Sequence, residues 1–137
     1  MLGMGRPGEV SDLLEWFKQT DRSRPGGSFN FRCDDTSTCD ALFFMSSEMK
    51  ESFHRYGQFI VVDATCKTNR FGLQLVLLVG NNQITRTVIF GMALLAREDI
   101  PSYQWTLGQV REAVGEHSMI IRTVLWILVF KLMYVLL

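Results

Sequence analysis

Residues 57–70 read GQFIVVDATCKTNR, and this stretch decides the fold. Phe59, Ile60, Val61 and Val62 are aromatic or β-branched, the residue types that fit a pleated, half-buried surface, so 59–62 is expected to be a strand. Asp63 stands at its end, and Thr65, Lys67, Thr68 and Asn69 return the chain to solvent. A carboxylate delivered from a sheet interior into a polar turn is a candidate metal ligand. A second local reading is that Asp63 caps backbone amides at the strand end, as Asp does in turns.

Working outward, SSEMKESFHRYG at 46–57 carries Met49, Phe53 and Tyr56 on one helical stripe. Ser46 or Ser47 is placed to cap it and Gly57 to end it. Before it, Phe29, Phe31 and Cys33 alternate with Asn30 and Arg32, turn residues fill 34–38, and 41–45 is apolar, which predicts a small hairpin. Residues 10–19 hold Leu13, Leu14, Trp16 and Phe17 behind Ser11 and predict a first helix. DRSRPGGS at 21–28 reads as a connection.

After the turn, 71–79 is almost wholly apolar, 80–83 is a polar corner, and 87–95 is again rich in Val, Ile, Phe and Leu. Three successive strands with short corners predict an antiparallel meander. A break at 96–101 precedes a helix opened by Ser102, with Tyr103, Trp105, Leu107, Val110 and Val114 at helical spacing and Gly115 at its end. The expected order is β-β-β-α, followed by a dense apolar tail.

The 137 residues suit one domain, and 47% hydrophobic against 20% charged residues supplies a core. Fourteen basic and fourteen acidic residues cancel, so no global attraction for phosphate backbones or anionic lipids exists. Any nucleic-acid contact must be a local patch, for which Lys67 and Arg70 are the candidates. Cys33, Cys39 and Cys66 are odd in number and lack zinc-site spacing, and the first residues show no basic region followed by an apolar signal core. A reduced, intracellular protein is expected. His54 and His117 have no companion ligands at metal spacing.

The run 41–117 resembles the ribonuclease-H-like domain of Mutator-like (MULE) transposases and their relatives, the plant far-red-response proteins and the animal SWIM-type zinc-finger proteins. The residues that carry the resemblance are Ala41-Leu42-Phe43-Phe44, Met49, Phe53, Gly57, the Asp63-x-Thr65-x-Lys67-Thr68-Asn69 signature, Val79-Gly80-Asn81, Phe90-Gly91-x-Ala93-Leu94-Leu95, Glu98 and Tyr103-x-Trp105. The expected fold class is therefore α/β and ribonuclease-H-like. It comprises a three-stranded antiparallel meander, a helix and a partial fourth strand, with an N-terminal α+β extension, and is incomplete as a domain. The expected divisions are 1–40 (extension), 41–118 (core) and 119–137 (divergent apolar tail).

The resemblance also implies a DDE-type site, in which three carboxylates hold two Mg2+ ions that activate a nucleophile and stabilise the leaving oxygen in phosphodiester chemistry. Asp63 matches the first carboxylate. The second is expected after Met119-Ile120-Ile121-Arg122-Thr123, where Val124 stands instead, and the remainder, LWILVFKLMYVLL, has no carboxylate. Glu98 reads as a helix-entry charge, and Trp105 with Tyr103 as core packing. The expected protein is a transposase-derived fragment, from a truncated frame, an altered transcript or a decayed copy. It is expected to be catalytically inactive and to hold no cofactor, Mg2+ serving only a complete ancestral site, and to be nuclear, with a DNA- or protein-binding role. Two alternatives are a metal-dependent nuclease that obtains its missing acids elsewhere and a small membrane-associated protein anchored by 120–137. Arg122 and Lys131 interrupt that tail and oppose insertion. The tail is expected to supply part of a fourth strand and otherwise an adhesive patch for protein partners or self-association.

Overall fold

The computed structural model describes residues 12, 15, 16, 18–20, 22, 25–36, 38–64 and 72–115, together with the backbone of Thr123–Trp126. Eight elements follow in chain order. They are β1 (Ser28–Cys33), β2 (Cys39–Met45), α1 (Ser47–Tyr56), β3 (Phe59–Ala64), β4 (Gln74–Asn81), β5 (Thr87–Leu95), α2 (Ile100–Val114) and β6 (Thr123–Trp126). Asp12, Glu15, Trp16, Lys18, Gln19, Thr20 and Arg22 are also helical, which agrees with the helix read at 10–19 but places Arg22, from the stretch read as a connection, in helix as well.

The strands form one sheet in the order β1-β2-β5-β4-β3-β6. The three strands β3, β4 and β5 follow one another in the chain and pair antiparallel, as the meander predicts. A parallel neighbour requires a long crossover. The helix α2 supplies it, carrying the chain from β5 past β4 and β3 so that β6 pairs parallel with β3. The β1–β2 hairpin forms as expected, but it is no separate appendage. Phe43 of β2 pairs with Ala93 of β5, and the hairpin prolongs the sheet.

Both helices cover one face. Phe53 of α1 and Tyr103, Val110 and Val114 of α2 are buried against Phe43, Ile60, Val62, Val76, Leu78, Phe90 and Leu95. Alternation along β3 explains the choice of face, since Ile60 and Val62 point into this core and Phe59, Val61 and Asp63 away from it. Full burial of a Phe, Leu or Ile side chain contributes about 1.5–3 kcal/mol. The edge-on pair Phe53–Phe90, with ring centroids 5.6 Å apart at 85°, adds the favoured aromatic geometry. Ser46 caps α1 by accepting from the Met49 N–H at 3.1 Å. Gly57 ends that helix with φ −76°, so its role is close approach. A Cβ there meets the Phe53 carbonyl and ring.

Four boundaries differ from the sequence reading. Asp63 lies inside β3, paired with Leu77, and not in the turn beyond it. The strand read at 71–79 begins at Gln74 and runs through Gly80 to Asn81. Its corner is built instead by Asn82, whose side-chain oxygen accepts from the N–H groups of Ile84 and Arg86. The second helix starts at Ile100, because Asp99, not Ser102, is its cap. The Asp99 carboxylate accepts from the Ser102 N–H at 2.9 Å, and Pro101 sits in the first turn, where its missing N–H costs nothing. Val124 pairs with Ile60, three residues before Asp63. It does not stand beside the carboxylate, and the position in register with Asp63 falls just past Trp126, outside the described residues.

Candidate functional site

Asp63 is exposed on the sheet face that neither α1 nor α2 covers. Residues directly opposed across a ladder share a face. Asp63 therefore ends a row that runs through Leu77, Met92, Phe44 and Phe29 on five consecutive strands. Every other member of the row is apolar and half-buried. At its far end Trp16 packs on Phe44 with ring centroids 6.1 Å apart. Trp16, Phe29, Leu42, Phe44 and Leu94 line a hollow of about 170 Å³. Nearer Asp63, Phe59 is 44% and Ile89 40% exposed. The carboxylate thus stands at the edge of an apolar, partly open sheet face.

Among the described residues, no group of three or more His, Cys, Asp or Glu side chains could hold a metal ion. One carboxylate neither neutralises nor positions a pair of Mg2+ ions, each of which wants octahedral oxygen ligands. The described residues therefore do not fit the two-ion centre that the resemblance implies. Lys67 and Arg70, the candidate phosphate contacts, lie outside the described residues, as do Cys66 and His117.

Glu98 and Trp105 have structural work in the described fold. Glu98 accepts from the Tyr103 hydroxyl at 3.2 Å, and burial followed by the Glu98 charge pushes that hydroxyl well above its ordinary range. Trp105 packs against the core and carries the Arg32 guanidinium 5.6 Å over its ring. That guanidinium also donates to both oxygens of Asp40, at 2.8 and 2.9 Å, and to the Ser102 hydroxyl at 3.0 Å. Asp40 foremost strengthens the hold on its proton. This tie fastens the β1–β2 hairpin to α2. It was not legible from the sequence, because Arg32 and Ser102 lie far apart in the chain.

The order β5-β4-β3-β6, with β6 parallel to the first meander strand, is the ribonuclease-H-like arrangement. The family model of the zinc finger SWIM domain-containing protein 1/3, RNaseH-like domain, matches residues 18–136. The chain belongs to this family. It is also similar to Protein FAR1-RELATED SEQUENCE 5 of Arabidopsis thaliana, 22% identical over 110 residues. That match covers 80% of this chain and 14% of the relative. Protein FAR-RED IMPAIRED RESPONSE 1 of the same plant is 22% identical over 108 residues, 79% of this chain and 13% of that protein. The chain thus spans about one seventh of the length of the curated relatives it matches. No solved structure matches it. This RNaseH-like domain is accordingly an α/β domain of transposase-derived kind. Among the described residues, no helix is long and apolar enough to cross a membrane. Part of the tail read as a candidate anchor is instead strand β6.

Proposed function

We propose that this RNaseH-like domain is a catalytically silent binding module of a longer nuclear polypeptide, descended from a DDE-type strand-transfer enzyme. Asp63 is its ancestral first carboxylate, and protein is its preferred partner. The observation that carries this reading is the company Asp63 keeps. It ends a row of Leu77, Met92, Phe44 and Phe29 on the sheet face that neither α1 nor α2 covers, the face that also carries exposed Phe59 and Ile89. A half-open apolar face suits contact with another polypeptide. Phosphate recognition draws on clustered Lys and Arg, and the formal net charge here is zero.

A gel-retardation series with a short DNA duplex, run from low to physiological salt, tests the choice. Phosphate attraction is greatest at low salt, so the proposal expects no retardation there. Retardation that disappears when Lys67 and Arg70 are both changed to Ala replaces the protein reading with a DNA-binding one.

A further inference from the structure

The pair Cys33 and Cys39 has no part in the proposed binding role. Their sulfurs lie 3.0 Å apart across the mouth of the β1–β2 hairpin, both as free thiols. Several independent contacts build that juxtaposition. The ladder shifts between Arg32 and Cys33, so that Cys33 opposes Cys39 while Asp40 bulges out. Asp40 is fixed there by Arg32, and its carbonyl accepts from the Ala96 N–H at 2.8 Å. The loop is closed by the Asp34 N–H donating to the Thr38 carbonyl at 2.9 Å. The Asp34 carboxylate accepts from the N–H groups of Thr36 and Thr38 and from the Thr36 hydroxyl. Those bonds, foremost the Thr36 hydroxyl, hold the Asp34 carboxyl below its usual range. Cys33 and Cys39 stand directly opposite each other, and residues so opposed in an antiparallel ladder have Cα atoms about 4.5–5.5 Å apart. That spacing falls within the roughly 4.4–6.8 Å a disulfide spans.

We infer that Cys33 and Cys39 are a preorganised dithiol that small-molecule disulfides, such as oxidised glutathione, convert reversibly into a cross-strand disulfide latching the sheet's edge hairpin. Cys33 is the exposed member and attacks first. Its thiolate, formed by loss of a proton to water, bonds to one sulfur of the small disulfide and expels one small thiolate. Cys39 then loses its proton and bonds to the Cys33 sulfur, expelling the second small thiolate. Two protein thiols are oxidised by two electrons, and one small disulfide is reduced to two thiols. Burial first, then the neighbouring Cys33 thiol and the charges of Asp40 and Asp34, push the Cys39 thiol up to about 11. Cys39 is therefore a poor first attacker, and its access to the mixed disulfide comes from its position.

The full chain is equilibrated in glutathione buffers of graded redox ratio, quenched by alkylation and mapped by peptide mass spectrometry. The expected product is a 33–39 disulfide whose formation constant in the native chain exceeds that in denaturing guanidinium by at least about tenfold. Cys39→Ser is expected to accumulate glutathione on Cys33, while Cys33→Ser leaves Cys39 largely unmodified. Equal constants in native and denatured chain overturn the inference. So does pairing with Cys66, or the reversed pattern in the two serine variants. The wild-type map decides the matter even if a serine variant misfolds.

Discussion

Gly80 lies within β4, on the helix-covered face, and a Cβ built there stands 2.5 and 2.6 Å from the far ring atoms of Phe90. That is about 1 Å short of ordinary contact between carbon atoms. Flexible side-chain ends can give way, but this ring is fully buried and packed edge-on against Phe53. On the other side the Phe59 carbonyl oxygen lies 3.0 Å away, so β4 has no cheap route outward. Overpacking of a filled core costs about 1–3 kcal/mol, and G80A is expected to fall in that range. For a domain of this size the loss lowers Tm by roughly 4–12 °C. Shortening the obstructing ring with F90L costs stability in the parent, by less than the about 3–5 kcal/mol of full truncation to Ala. In the G80A background it also relieves the clash. The double variant is therefore expected to be more stable than the sum of the singles by about 1 kcal/mol or more. Urea and thermal unfolding of the four proteins, followed by far-ultraviolet circular dichroism, measures the cycle. A neutral G80A, or strict additivity, refutes the packing assigned to β4 and β5.

Three other outcomes follow from the geometry. Arg32→Lys keeps the charge but loses the fork that grips both Asp40 oxygens and lies over Trp105, so it is expected to cost about 1–2 kcal/mol in urea unfolding; a variant as stable as the parent sinks that assignment. Asp99 caps α2, and although burial opposes its ionisation, its bonds from Ser102 and the charges of Arg97 and Arg32 hold its carboxyl below the usual range. Its folded pKa lies below the unfolded one, so its stabilisation is complete above about pH 4 and is lost as pH falls through the folded pKa. Asn caps nearly as well, so D99N should match the parent at neutral pH and lose less in acid, whereas D99A should lose about 1 kcal/mol at neutral pH; a gap between parent and D99N that does not change with pH contradicts this. Asp63→Asn removes an exposed charge that makes no hydrogen bond among the described residues, and it should leave stability within about 0.5 kcal/mol, as thermal unfolding will report.

The meander and α1 were legible because their signals are local. Alternation in β3, the apolar runs of β4 and β5, and the Phe53 stripe each depend on neighbouring residues. What escaped was set by distant partners. The reading of Gly80 as a corner failed because glycine often marks turns, whereas here the buried Phe90 ring requires its missing side chain. Ser102 looked like a helix start, yet Asp99 wins the cap because its carboxylate reaches the Ser102 N–H while Pro101 tolerates the first turn. The docking of β2 on β5 and the Arg32 tie to α2 have no short-range signature. That the strand of residues 59–62 leads into Asp63 was legible. Its face and its apolar row depend on the register of five strands. Cys33 and Cys39 could have been found, since they flank the five-residue turn of a predicted hairpin symmetrically. Counting three cysteines against zinc spacing concealed them.

Under the proposed function, this domain retains the first carboxylate of a phosphodiester-processing site on a binding surface that does no cutting. Incubating the purified chain and its D63N variant with supercoiled plasmid, in Mg2+ and in Mn2+, tests it most directly. Equal, background levels of nicked circles are expected for both proteins with either metal. Metal-dependent nicking by the parent that D63N abolishes would contradict it and make Asp63 a working catalytic ligand.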